Sequence, residues 1–155
     1  LEPETLVADE LVSALDVSVQ AQVINLLLEL QERLHLTVLF VAHDLRLVRH
    51  ISHRVAVMYL GRVVEVGETE ALFRDPRHPY TRALLSAAPS LEPDETTVTD
   101  AIEGELPSPL NLPSGCTFHP RCPHAMDACR AAVPELLARN GRRHACILED
   151  PEVTA

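Results

Sequence analysis

Glu4-Thr5-Leu6-Val7-Ala8-Asp9-Glu10, followed by Ser13-Ala14-Leu15-Asp16, decides how this chain is read. The run is apolar through its middle and closes on two adjacent carboxylates, the pattern of a short buried β-strand that ends at a polar edge. Side chains alternate between the faces of a strand, so Asp9 and Glu10 point in different directions and can take different tasks. One carboxylate can hold a magnesium ion through water while the other orients or deprotonates an attacking water. Taken alone, the same string also describes an ordinary strand with solvated terminal carboxylates, and its neighbours have to decide between the two.

Downstream, Val19, Val23, Leu26, Leu27, Leu30 and Leu34 recur at three- and four-residue steps, which predicts an amphipathic helix with Asp16 or Ser18 as its N-cap. Glu29 and Arg33 can pair on its wet face. Such a pair adds only about 0.2–0.5 kcal/mol, so packing has to hold the helix. Residues 36–42 form a nearly unbroken apolar run, the pattern of a parallel strand covered on both faces, and His43 follows directly. Ligands of open α/β sheets bind beyond the carboxyl ends of the strands, so Asp9, Glu10 and His43 share one edge if these two strands are neighbours. Residues 44–51 read as a short helix, and 54–59 with 62–66 as a hairpin turning at Leu60-Gly61. A helix over 68–74 is broken by Asp75-Pro76-Arg77-His78-Pro79, after which Pro79 starts another helix over 80–88.

At 155 residues and 46% hydrophobic content, the chain can bury one moderate core, or a partial core and a small module. It opens without an initiator Met or a capping signal, directly on what reads as a central strand, so a piece of a longer protein is expected. The net charge of -10 argues against a nucleic-acid partner, which calls for a basic face. No window approaches the roughly 18 apolar residues of a membrane span, and no charged-plus-apolar leader opens the chain, so a cytosolic protein is expected. Residues 90–113, with Pro93, Pro107, Pro109 and Pro113 and several acids, read as an extended linker.

Four cysteines in such a compartment favour metal binding or redox chemistry over disulfides. Cys116, Cys122, Cys129 and Cys146 have five, six and sixteen residues between them, which is not the paired C-x2-C knuckle of structural zinc sites. Irregularly spaced thiolates can wrap a larger object such as a cubane iron-sulfur cluster. Zinc, with His119, His124 or His144 replacing a thiolate, and free buried thiols both stay open. Between the outer cysteines, Arg121, Arg130, Arg139, Arg142 and Arg143 face only Asp127 and Glu135, and this local basic character suits an anionic ligand or cluster. Pro120, Pro123 and a helix over about 134–140 are expected to fix the surrounding loops.

The ordered segments VADELVSALDVSVQAQVINLLLELQ (7–31), LTVLFVAHDL (36–45) and RVAVMYLGRVVEVG (54–67) resemble the second half of an ABC-transporter ATP-binding subunit. HPYTRALLSAAP (78–89) resembles a signature of the oligopeptide/dipeptide branch of that family, and the pattern Gly104-Glu105-Leu106-Pro107-Ser108-Pro109 resembles its approach to the cysteine module. The resemblance implies an α/β fold: a partial three-layer P-loop ATPase core of parallel strands plus a C-terminal β-hairpin (1–68), a helical extension (69–88), a Pro-rich linker (89–113) and a small cysteine-rich metal-binding module (114–148). It implies that Asp9 closes the Walker B strand and holds magnesium through water for ATP. Glu10 becomes the general base, Asp16 the cofactor-binding D-loop residue at the seam between two paired ATPase subunits, and His43 the switch histidine against the γ-phosphate. It further implies that Cys116, Cys122, Cys129 and Cys146 hold a 4Fe-4S cluster, with zinc as the alternative.

Three positions depart from the family's usual pattern: Leu11 stands where Pro is common, Ala42 where Ser is, and His53 where Asp is. None removes a catalytic group. The implied function is ATP hydrolysis that energises peptide import. The implied partners are a second ATPase subunit, transmembrane permease subunits and, indirectly, a solute-binding protein, with the chain peripheral on the cytoplasmic face of the membrane. These residues contain no G-x-x-x-x-G-K-S/T phosphate loop and no Leu-Ser-Gly-Gly-Gln signature, so the chain alone is expected not to hydrolyse ATP. The transported solute, peptide by family default, is not written in them. A second reading, from a different functional class, is an iron-sulfur or zinc interaction or redox-sensing module that keeps a vestigial ATPase segment.

Overall fold

The computed structural model describes residues 3–88, 102, 104–139 and 141–149. The chain is α/β and divides into two compact units, 1–52 and 53–155, each built on its own sheet.

In the first unit, strand β1 (Thr5–Asp9) runs parallel to β2 (Thr37–Val41), in a register that sets Thr5 opposite Thr37 and Asp9 opposite Val41. The crossover between them is helix α1 (Val17–Leu34). Of the two candidate caps it is Asp16 that starts this helix, its Oδ1 accepting from the Ser18 and Val19 amides at 3.1 and 3.0 Å. The helix ends on His35 in the left-handed conformation, a common stop. Helix α2 (Leu45–Ile51) starts the same way on Asp44, which accepts from the Arg46 amide at 2.9 Å. Buried apolar side chains here are Ala8, Val12, Ile24 and Leu27. The unbroken apolar runs anticipate cover on both faces of the strands, yet Val7, Leu39 and Val41 are exposed. Two strands and one crossover offer too little surface to sandwich a parallel sheet.

In the second unit, β3 (Arg54–Tyr59) and β4 (Arg62–Glu68) form the expected hairpin. Leu60 and Gly61 both have positive φ, 45° and 76°, as a two-residue turn between twisted strands requires. Helices α3 (Thr69–Arg74) and α4 (Pro79–Ser86) follow, then α5 (Asp127–Ala131). The helix expected over 134–140 is instead strand β5 (Leu137–Arg139), paired antiparallel with β6 (Arg142–His144). The physical reason is local: Asn140-Gly141 is a hairpin dipeptide, Gly141 has φ 76°, and the segment before it is too short to nucleate a stable helix.

Strand β6 also pairs with β4, so residues of the cysteine segment complete a four-stranded antiparallel sheet in the order β3-β4-β6-β5. Its core gathers Val57, Tyr59, Val64, Leu72 and Phe118, flanked by Tyr80, Leu84, Cys116 and Cys122. Of the expected Pro-rich linker, 89–101 and 103 lie outside the described residues. Among the described residues no helix is long and apolar enough to cross a membrane.

Candidate functional site

The parallel pairing brings the ends of β1 and β2 together. Asp9 is the last residue of β1, and the next amide, of Glu10, donates to the Val41 carbonyl at 2.9 Å. Glu10 then adopts a left-handed conformation with φ 44°, a turn that costs a non-glycine residue of the order of 1 kcal/mol and takes the chain out of the strand. The Ser13 amide and hydroxyl both donate to the Glu10 carbonyl, at 3.1 and 3.0 Å, and hold that turn. The result sets Glu10 Oε1 3.3 Å from His43 Nδ1 across a 33-residue separation. Both side chains stay open to solvent, Glu10 at 57% and His43 at 74% exposure. An exposed pair of this kind contributes about 0–1 kcal/mol to stability, so its geometry serves access rather than folding.

Glu10 and His43 line a cleft together with Ser13, Gln20, Phe40 and Asp44. A carboxylate and an imidazole at such a distance can accept a proton from bound water and place a donor on an anion. Asp9 shares the strand edge but does not line the cleft, and Asp16 is engaged as the helix cap. The Ser18 hydroxyl, with the Val19 amide, holds the Asp16 carboxyl below the usual carboxylate range. Gln20 and Ser13 were not singled out from sequence; the signal available was their place in the turn and first helical turn after the strand, where side chains face a strand end.

A second constellation lies in the other unit. Cys116, Cys122, Cys129 and Cys146, all free thiols, line one cavity with His78 and His119. Two devices bring the sulfurs together. The Cys116 amide donates to the Cys129 carbonyl at 2.8 Å, across a close approach that only Gly115 permits: its φ is 66°, and a Cβ there would stand 2.3 Å from the Cys129 carbonyl oxygen. Cys146 arrives on the end of β6, where the Ala145 amide donates to the Val64 carbonyl at 2.8 Å. Burial pushes the Cys146 thiol up to about 11, with the charges of the other three cysteines adding to it, and burial likewise raises Cys116. Protons therefore compete with any metal for these sulfurs.

The donor set of four soft thiols fits a thiophilic centre. Among the described residues, however, no three His, Cys, Asp or Glu side chains are arranged to hold a single metal ion. Of the three histidines considered as substitute ligands, His119 lines the cavity, His124 is exposed, and His144 is buried opposite Glu65 in the sheet without lining the cavity.

The sequence places His78 in the helix break at 75–79 and in the HPYTRALLSAAP signature string, without a role of its own. It is 1% exposed and caps α4, its Nδ1 accepting from the Tyr80 amide at 3.1 Å. Fully buried Glu65 holds it in place, the two carboxylate oxygens accepting from the Arg77 and His78 amides, each at 2.9 Å. Burial, then the neighbouring His144 and Arg82, lowers the His78 pKa to about 4, so the ring is neutral at pH 7. Tyr80 stacks beside Tyr59 and Phe118, with ring centres 4.6 and 5.4 Å away. The His-Pro-Tyr string thus joins sheet, helix and cysteine cavity. A histidine directly before a proline-started helix was the signal for its cap role.

Residues 64–129, which include this string and three of the four cysteines, match the family model for the oligopeptide/dipeptide transporter C-terminal region. Over its whole length the chain is 54% identical to a probable peptide ABC transporter ATP-binding protein of Sinorhizobium fredii, covering 44% of that protein. Identity is 53% to a di/tripeptide transport ATP-binding protein of Pseudomonas aeruginosa, over 94% of this chain and 45% of that one. For a dipeptide transport ATP-binding protein of Escherichia coli it is 50%, over 98% of this chain and 46% of the other. The chain spans just under half the length of these curated relatives. Along the chain the carboxylate-imidazole cleft precedes the matched segment, and Cys146 follows it.

Proposed function

We propose that the chain forms part of the ATP-binding and hydrolysing subunit of an ABC importer that energises peptide uptake. The observation that carries this reading is the meeting of Glu10 and His43, 3.3 Å apart at the carboxyl ends of two adjacent parallel strands. Glu10 acts as general base, taking a proton from the water that attacks the γ-phosphate, and His43 donates to the transferring phosphoryl group. Asp9 would hold magnesium through water, and the ion would supply charge that offsets the phosphates. Asp16 stands at the seam with a second ATPase subunit. The other partners are transmembrane permease subunits and, through them, a solute-binding protein, with the complex on the cytoplasmic face of the membrane. Exposed Val7, Leu39 and Val41 suit a sheet that takes further cover, and the chain's relatives are about twice its length.

Residues 1–68 belong to the ATPase core in this reading, 69–88 to the helical extension, and 114–148 to a module holding a 4Fe-4S cluster on Cys116, Cys122, Cys129 and Cys146. Four free thiols around one cavity support the cluster. The test of the catalytic reading is Glu10→Gln in the full-length protein. ATP turnover should fall by about 10²–10⁴-fold with ATP binding retained. The 155 residues alone, lacking a phosphate loop, should show no Glu10-dependent turnover. Undiminished turnover in the full-length variant overturns the assignment.

A further inference from the structure

We propose that His78 donates a hydrogen bond from its Nε2–H to a sulfur of the four-cysteine centre and so raises the reduction potential of that centre. The inference rests on the cluster reading above and deepens it. Its basis is a difference between the two imidazoles that line the cavity. A backbone amide can only donate, so the Tyr80 amide at 3.1 Å requires a lone pair on His78 Nδ1, and the proton of the neutral ring sits on Nε2. A carbonyl can only accept, so the Cys116 carbonyl at 2.9 Å takes the proton on His119 Nδ1. His78 thus keeps its N–H on the nitrogen turned away from the backbone, whereas His119 commits an N–H to the Cys116 carbonyl.

The ring of His78 has little freedom to do anything else. Its Nδ1 is turned to the start of α4, its amide is held by Glu65, and Phe118 stands beside it at 5.8 Å between ring centres. At 1% exposure it is shut off from bulk water, and the cavity it lines offers sulfur acceptors for the remaining N–H. A cluster on four thiolates gains negative charge on reduction, and N–H donors to its sulfurs favour the reduced form. The cysteine pattern would show the ligands without showing this donor, because His78 lies 38 residues before Cys116.

The test uses anaerobically purified full-length protein labelled with ¹⁵N-histidine. Wild type should contain iron, and its reduced form should show, by electron-nuclear double resonance, an exchangeable proton and a histidine nitrogen coupled to the cluster. His78→Ser keeps a capping oxygen and withdraws the N–H; it should lose that coupling and titrate at a more negative midpoint potential with iron content unchanged. His119→Ser should retain the coupling. Iron-loaded wild type without any histidine coupling, or a His78→Ser potential equal to wild type, overturns the role of His78 and leaves the cluster standing. Wild type that binds no iron overturns the cluster reading, and this inference with it.

Discussion

The two units place their chemistry at opposite extremes of exposure. In 1–52 the reactive pair sits in water, with Glu10 at 57% and His43 at 74% exposure, whereas in 53–155 His78 is at 1% and Glu65 at 0%. Exposure explains what each can do. The Glu10–His43 pair gains little from its neighbours and is free to meet a ligand. Buried Glu65 and His78 must find partners inside the protein, and they do, through the Arg77, His78 and Tyr80 amides. Chemistry in the first unit is therefore cheap to remove from the fold. In the second unit it is inseparable from it.

The largest effect that follows is at Gly115. An Ala there would place its Cβ 2.3 Å from the Cys129 carbonyl oxygen and 2.8 Å from the Arg130 carbonyl carbon, at a φ of 66° that disfavours any side chain. Backbone cannot step aside as a side-chain tip can, so Gly115→Ala should cost about 3 kcal/mol or more in urea unfolding of the second unit. A cost under about 1 kcal/mol would show that the cysteine loop is loosely determined, and the contrast between the units would fail there.

A smaller loss is expected for Glu65→Ala. Its removal leaves the buried amide of His78 and the half-buried amide of Arg77 without their acceptors, which should cost about 2–3 kcal/mol. Glu65→Gln keeps one acceptor oxygen and should lose roughly half as much. Thermal melts at neutral pH separate these outcomes. No loss for Glu65→Gln would mean that the side chain's shape, not its pair of hydrogen bonds, supports the His-Pro-Tyr turn.

How far the sequence reaches follows the same divide. Periodicity and capping residues place α1, β2, α2 and the hairpin to within a residue or two, because each is set by local pattern: Asp16 and Asp44 as caps, Leu60-Gly61 as the turn. The approach of Glu10 to His43 was open to inference once both strands were taken as parallel neighbours. The pairing of β6 with β4 was not, since it joins residues about 80 positions apart through a three-residue strand with no alternation to read. The same long-range pairing carries Cys146 to the other thiols, so spacing could list the four cysteines without showing the path that unites them. His78 and Glu65 were hidden for a related reason: a buried carboxylate is recognised by its partners, and these are amides 12 and 13 residues away.

Asp75 sharpens the comparison, because it is an exposed carboxylate within the buried-chemistry unit and separates exposure from location as the determinant of cost. Its side chain is 52% exposed and is held by Arg142, 2.7 Å away and only 12% exposed, and by Arg77 at 2.6 Å. The Arg142 hydrogen bond, with the charges of Arg77 and Arg142, holds the Asp75 carboxyl below its ordinary value of 3.8. A carboxyl lowered on folding adds stability that is fully present above about pH 4 and is lost as pH falls through the folded value. Asp75→Asn should therefore cost under about 1 kcal/mol at pH 7, and its unfolding curve should converge on that of wild type as pH falls through the lowered value of the folded Asp75. Arg142 keeps its bonds to the Ala71 and Asp75 carbonyls in that variant, so the end of α3 stays tied to β6. A loss at pH 7 as large as that of Glu65→Ala would mean that position in the second unit, rather than exposure, sets what a charged side chain is worth.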